Sequence, residues 1–161
     1  MKKSALILFA ILLFTNSTFA NTSRNSKIPH AVLKEFSEKY PDTKVDRWKN
    51  TDDTFVARFF LNKRKQFAFY TNSGTWIKTE TKIPWTWNLP HAVKSGWESC
   101  KFNAWYIEEM HEVASSTDHY FVFKIDNGDM LDSDHHDAFL EKYVLYFDGN
   151  GKLIRKQPVD N

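Results

Sequence analysis

The chain has 161 residues, with 22 Lys and Arg against 20 Asp and Glu, and one cysteine, Cys100. Lys2 and Lys3 carry the whole positive excess, so the chain from Asn21 onward is formally neutral, which removes the general electrostatic argument for nucleic acid or an anionic membrane as partner. A lone cysteine excludes an intramolecular disulfide, so stability must come from packing or metal.

Lys2 and Lys3 precede an apolar run from Ala5 to Phe14, and Thr18-Phe19-Ala20 places small residues at the positions a signal peptidase reads. A signal peptide over 1–20 is expected, with the mature chain starting at Asn21. The run is shorter than the ~20 apolar residues of a membrane span, so no stable insertion is expected after cleavage. No cysteine stands at the cleavage point to take a lipid, so the expected location is periplasmic or secreted. Residues 21–27 are polar and aperiodic and read as a flexible lead-in.

From there Pro-His-Ala-Val occurs twice, as Pro29-His30-Ala31-Val32 and Pro90-His91-Ala92-Val93, and similar sequence follows each copy. The first copy opens a helix predicted over 29–40, with Val32, Phe36 and Tyr40 on one face, Glu35 and Lys39 as an i,i+4 pair, and Pro41 as the stop. The second opens a helix with Val93, Gly96, Trp97 and Cys100 on its apolar stripe, Cys100 being expected as a small core residue. His30 and His91 are expected as exposed first-turn residues. Both helices are too short to persist unless that stripe is buried.

Strands follow each helix. Phe55, Ala57, Phe59 and Leu61 make an apolar parity against a mixed one of Val56, Arg58 and Phe60. In the second half Phe121, Phe123 and Ile125 stand against Tyr120, Val122 and Lys124, the alternation of a sheet with one buried face. The segments 66–70 and 143–147 continue the pattern, and turns at Thr71-Asn72-Ser73-Gly74 and Asp148-Gly149-Asn150-Gly151 lead into last strands near Trp76-Ile77 and Leu153-Ile154. The segments 45–48 and 104–109 complete four antiparallel strands per half. The domains expected are a first repeat over 28–83, a linker at 84–89 carrying Trp85 and Trp87, and a second repeat over 90–157 with an insertion at 129–142. Halves of this size hold marginal cores, so they are expected to abut and unfold together.

These features, in this order, together with Thr79-Glu80-Thr81-Lys82-Ile83-Pro84 after the first closing turn, resemble the PepSY-like family, secreted bacterial proteins also described as similar to beta-lactamase inhibitory protein. The resemblance runs from Ile28 to about Lys156. It implies an α+β tandem repeat in which each helix lies on a four-stranded antiparallel sheet, with an open concave sheet face on the other side. It carries over no catalytic residue. His30 and His91, where small residues are usual, and the 129–142 insertion depart from the family pattern.

Serine-nucleophile, phosphate-loop and dinucleotide patterns are absent, and five glycines leave no Gly-rich loop. Glu108 and Glu109 are expected on opposite faces of a strand, and His111 and His119 have no recognisable partner. An enzyme is therefore not expected, and no cofactor is implied. Asp132, Asp134, His135 and His136 are weak metal candidates: their spacing fits no calcium loop, and a solvated loop or capped turn is the better reading. Six Trp, six Tyr and fourteen Phe exceed what two small cores need. The mixed parity assigns Arg58, Phe60, Tyr70, Tyr120, Lys124 and Tyr146 to the face away from the helices, the expected binding surface. The expected partner is a protein or peptide. A carbohydrate or envelope ligand on the same aromatics is the alternative, and inhibition of a secreted hydrolase follows from the resemblance alone.

Overall fold

The computed structural model describes residues 28–51, 53–128 and 140–159. The expected signal peptide and lead-in lie outside them, as does the stretch holding Asp132, Asp134, His135 and His136. The chain runs α1 (His30–Lys39), β1 (Val45–Thr51), β2 (Thr54–Leu61), β3 (Arg64–Thr71), β4 (Trp76–Ile83), a short 3-10 turn at Thr86–Asn88, α2 (His91–Glu98), β5 (Tyr106–Ser115), β6 (His119–Asp126), β7 (Lys142–Asp148) and β8 (Leu153–Pro158). Every strand is antiparallel to the next, in one open sheet of order β1 to β8. What was expected as four strands per half is thus one continuous layer. The seam is β4 on β5, with Lys78 opposite Ser115 and Ile83 opposite Met110.

Neither helix has a side-chain cap, since Pro29 and Pro90 occupy the cap positions. Burial holds them instead. α1 buries Val32 and Phe36 over Phe55, Ala57, Phe59, Ala68 and Tyr70, and the Phe36 ring meets Phe59 edge-on at 5.2 Å. α2 buries Val93 and Trp97 in a second cluster, and Trp97 stacks on Phe123 at 5.2 Å. Each large apolar side chain so buried contributes roughly 1.5 to 3 kcal/mol, which is what stabilises helices of this length. α2 ends at Glu98, so Cys100 falls in the following turn, still against the second cluster. The expected Glu35–Lys39 pair is replaced by Lys34–Glu38 at 3.8 Å, and the Lys39 ammonium sits over the Trp76 ring.

Two glycines seat the helices. Gly74 and Gly151 close the β3–β4 and β7–β8 turns with φ of +94° and +81°, a backbone region glycine enters without a Cβ penalty. A Cβ on Gly74 would come within 2.8 Å of the Ala31 backbone, and one on Gly151 within 2.0 Å of the Ala92 carbonyl oxygen. Each turn therefore presses on the first turn of the helix that opens its half. The hydrogen bonds match too: Thr71 N–H to Thr75 O and Gly74 N–H to Thr71 O in one, Asp148 N–H to Lys152 O and Gly151 N–H to Asp148 O in the other.

Candidate functional site

Both helices cover one face of the sheet, and the other carries a built surface. On β2, Val56, Arg58 and Phe60 point to that face, opposite Phe69, Phe67 and Lys65 of β3. Phe60 is 57% exposed, unusual for a large apolar side chain within a strand. Arg58 is held by Asp46 at 2.5 Å, which a bulge in β1 brings to the same side.

At the seam the register sets Glu80 of β4 between Phe67 and Val113, and His111 of β5 opposite Lys82. Glu80 is 3% exposed and His111 7%. The Glu80 carboxylate takes the Lys78 ammonium at 2.7 Å and faces His111 Nδ1 at 3.6 Å. Burial alone would push the Glu80 carboxyl up, but the nearby His111 imidazole and the Lys78 ammonium more than offset it and hold it below the usual carboxylate range. The Phe67 ring lies nearly parallel to the His111 imidazole, 6.4 Å away.

On the second half of this face Val113, Val122 and Val144 form a small cluster with Tyr120, Tyr146 and Val159 leaning on it. The Arg155 guanidinium stacks on Tyr146 at 3.6 Å. Lys124 and Lys142 both clamp Glu108, at 2.5 and 2.6 Å. Burial pushes the Tyr120 hydroxyl up, and the charge of Glu80 adds to the effect.

Arg58, Phe60, Tyr120, Lys124 and Tyr146 therefore lie on the face the alternation assigned them. Tyr70 does not. It is fully buried under α1, with its ring 6.4 Å from Phe36, and its hydroxyl has no hydrogen-bond partner among the described residues. A bulge between Phe69 and Tyr70, where Tyr70 pairs with Trp76, accompanies this placement. Glu108 and Glu109 are not on opposite faces either. A register shift between Ile107 and Glu109 brings both to the helix-free side, where Glu109 meets Lys82 at 3.1 Å. His111 and His119 each have an acidic partner, Glu80 for the first and Glu112, at 2.9 Å, for the second. Phe67 and Phe69, with the buried Glu80 and His111 beside them, are the residues of this face that strand alternation alone did not single out.

On the helix side, where neither helix reaches the seam, Arg64, Gln66, Thr79, Thr81, Glu112 and their neighbours line a polar cleft of about 400 Å³. Burial pushes the Cys100 thiol up, away from thiolate chemistry. Among the described residues no cluster of His, Cys, Asp or Glu is arranged to hold a metal ion, and no helix is long and apolar enough to cross a membrane.

An eight-stranded antiparallel sheet backed on one face by two helices, each preceding four strands, is a BLIP-like fold. Among solved structures the chain is similar to a BLIP-like protein from Bacteroides fragilis, with TM-score 0.71, 21% identity and coverage of 83% of this chain and 87% of that one. It is also similar to a DUF2874 family protein from Bacteroides ovatus, with TM-score 0.70, 22% identity, and 81% and 87% of the two chains covered. A third is a protein from Bacteroides eggerthii inferred to be periplasmic, with TM-score 0.68, 18% identity, and 81% and 88% covered. No protein-family model matches the chain, and no curated protein does. At such identities the likeness speaks for the fold.

Proposed function

We propose that this chain is a non-enzymatic binding module of PepSY-like type, exported to the periplasm or beyond, that docks a protein or peptide on its helix-free sheet face. One observation carries the reading: Phe60, Phe67, Phe69, Tyr120 and Tyr146 are interleaved with Arg58, Lys78 and Lys124 on the face that neither described helix covers. Aromatic side chains on a rigid strand scaffold suit a protein interface because they supply large contact area with little ordering entropy, and arginine is enriched beside them. The matched turns at Gly74 and Gly151 support reading 28–83 and 90–157 as two copies of one unit joined through 84–89. A solved neighbour inferred to be periplasmic and the signal-like N-terminus both support export. Inhibition of a secreted hydrolase would be one special case of the same docking.

The test is geometric. A photo-crosslinking phenylalanine analogue at Phe60 should capture a partner in the envelope fraction of the source cell, while the same analogue at Leu33, exposed on α1, should capture none. Equal capture from both positions, or capture from Leu33 alone, would place binding elsewhere.

A further inference from the structure

The helix-free face is not electrically uniform. On β1 to β4 it displays Arg47, Lys49, Arg58, Lys65 and Lys78, since Arg47 pairs with Arg58, Lys49 with Val56, Phe60 with Lys65 and Phe69 with Lys78 across the strands. The carboxylates sharing that area are already engaged, Asp46 by Arg58 and Glu80 by Lys78 and His111. From Lys82 at the end of β4 across to β7 the acids are matched locally, with Glu108 between Lys124 and Lys142 and Glu109 on Lys82. Although the chain from Asn21 onward is formally neutral, among the described residues cations outnumber carboxylates at one end of the proposed docking face, around Phe60, Phe67 and Phe69.

We infer that the β1–β3 end of this face receives an acidic peptide segment. The inference rests on the docking reading above and names the chemistry of the partner. Carboxylates of the segment pair with Arg47 and Lys65, and its apolar side chains lie on Phe60, Phe69 and Val56. A strand face of alternating cations and phenylalanines matches a chain of alternating acidic and apolar residues. A nucleic acid would need a continuous basic track, and here the cations alternate with Val56, Phe60, Phe67 and Phe69 across the strands.

The probe is a fluorescein-labelled decapeptide of alternating glutamate and valine, read by fluorescence anisotropy against its lysine–valine and serine–valine counterparts and a single-stranded oligothymidylate. The protein should bind the glutamate peptide, with affinity falling at least about tenfold between low and 0.3 M salt. Arg47→Glu combined with Lys65→Glu should lower that affinity by a further tenfold or more, as should Phe60→Ala. Lys34→Glu combined with Lys94→Glu changes net charge equally but on the helices, and should bind as the parent does. Unchanged melting of each variant keeps misfolding out of the comparison. Equal binding of all three peptides with loss in Phe60→Ala would overturn the acidic specificity while leaving the docking face standing. Binding that survives Arg47→Glu with Lys65→Glu, preference for the oligothymidylate, or no binding of the glutamate peptide would overturn the inference itself.

Discussion

Tyr70 brings a hydroxyl into the α1 core, where no described group accepts or donates a hydrogen bond to it, and a buried polar group left alone opposes folding. Burial pushes that hydroxyl far above the ordinary tyrosine range, with the Tyr40 and Glu35 charges adding to the effect. Tyr70→Phe keeps the ring contacts with Phe36 and Trp48 and removes the orphan oxygen. Urea titration should show it as stable as the parent or up to about 1 kcal/mol more stable. Tyr70→Ala should cost about 3 to 5 kcal/mol through the cavity it leaves. Destabilisation of Tyr70→Phe beyond about 1 kcal/mol would mean the hydroxyl has a partner after all. The closing turns hold the signal for this residue: counted back from them, Tyr70 stands immediately before Thr71 as Phe147 stands before Asp148, so Tyr70 shares the parity of Phe147 and Phe69 that of Tyr146. Strand alternation read separately in each half misses that offset. The Glu80–His111 pair was not legible at all, because it depends on the β4–β5 register, which no local pattern specifies.

Element by element, the helices and the cores of β2 and β6 were legible because one face of each is apolar at the right period. β5 was not. The expected strand at 104–109 runs on to Ser115, through His111 and Glu112, two polar residues that break any apolar alternation. Both are tolerated in a strand because Glu112 sits over the uncovered seam, paired with His119, and His111 is paired with Glu80. α2 poses the sharper mechanical question. A Cβ on Gly96 would lie 1.9 Å from the Gly151 carbonyl oxygen, so the helix rests backbone to backbone on the β7–β8 turn. Alanine is the better helix former by about 1 kcal/mol, yet the overlap forces α2 to lift off Trp97's socket. Gly96→Ala should therefore be destabilising by about 1 to 3 kcal/mol net, read as a lower urea midpoint with unchanged slope. A raised midpoint would show that propensity wins and that the helix is not seated on Gly151.

For the whole molecule, the seam is the place where the two cores must act together. The clusters under α1 and α2 share no residue, and what joins them is the β4–β5 ladder with Glu80 and His111 across it. A break at that seam would expose the inner edge of both halves, so one cooperative transition is expected at neutral pH. Glu80 then makes stability depend on acid in a definite direction. Its carboxyl titrates lower in the folded chain than the ordinary value of 4.5, so folding favours the ionised form. That contribution is complete above the unfolded value and is lost as pH falls through the folded one. Glu108, whose carboxyl burial would raise but which Lys124 and Lys142 hold below the usual range, adds to the same acid limb. Glu80→Gln should lower stability at pH 7 by about 1 to 3 kcal/mol, because Lys78 and His111 lose their charged partner. It should also flatten the decline below about pH 4.5, leaving the part that belongs to Glu108. Thermal melts of parent and Glu80→Gln from pH 7 to pH 3 decide the matter. Curves that stay parallel down to pH 3 would mean that the proton taken up on acid unfolding does not go to Glu80, and that the seam is held by its backbone ladder alone.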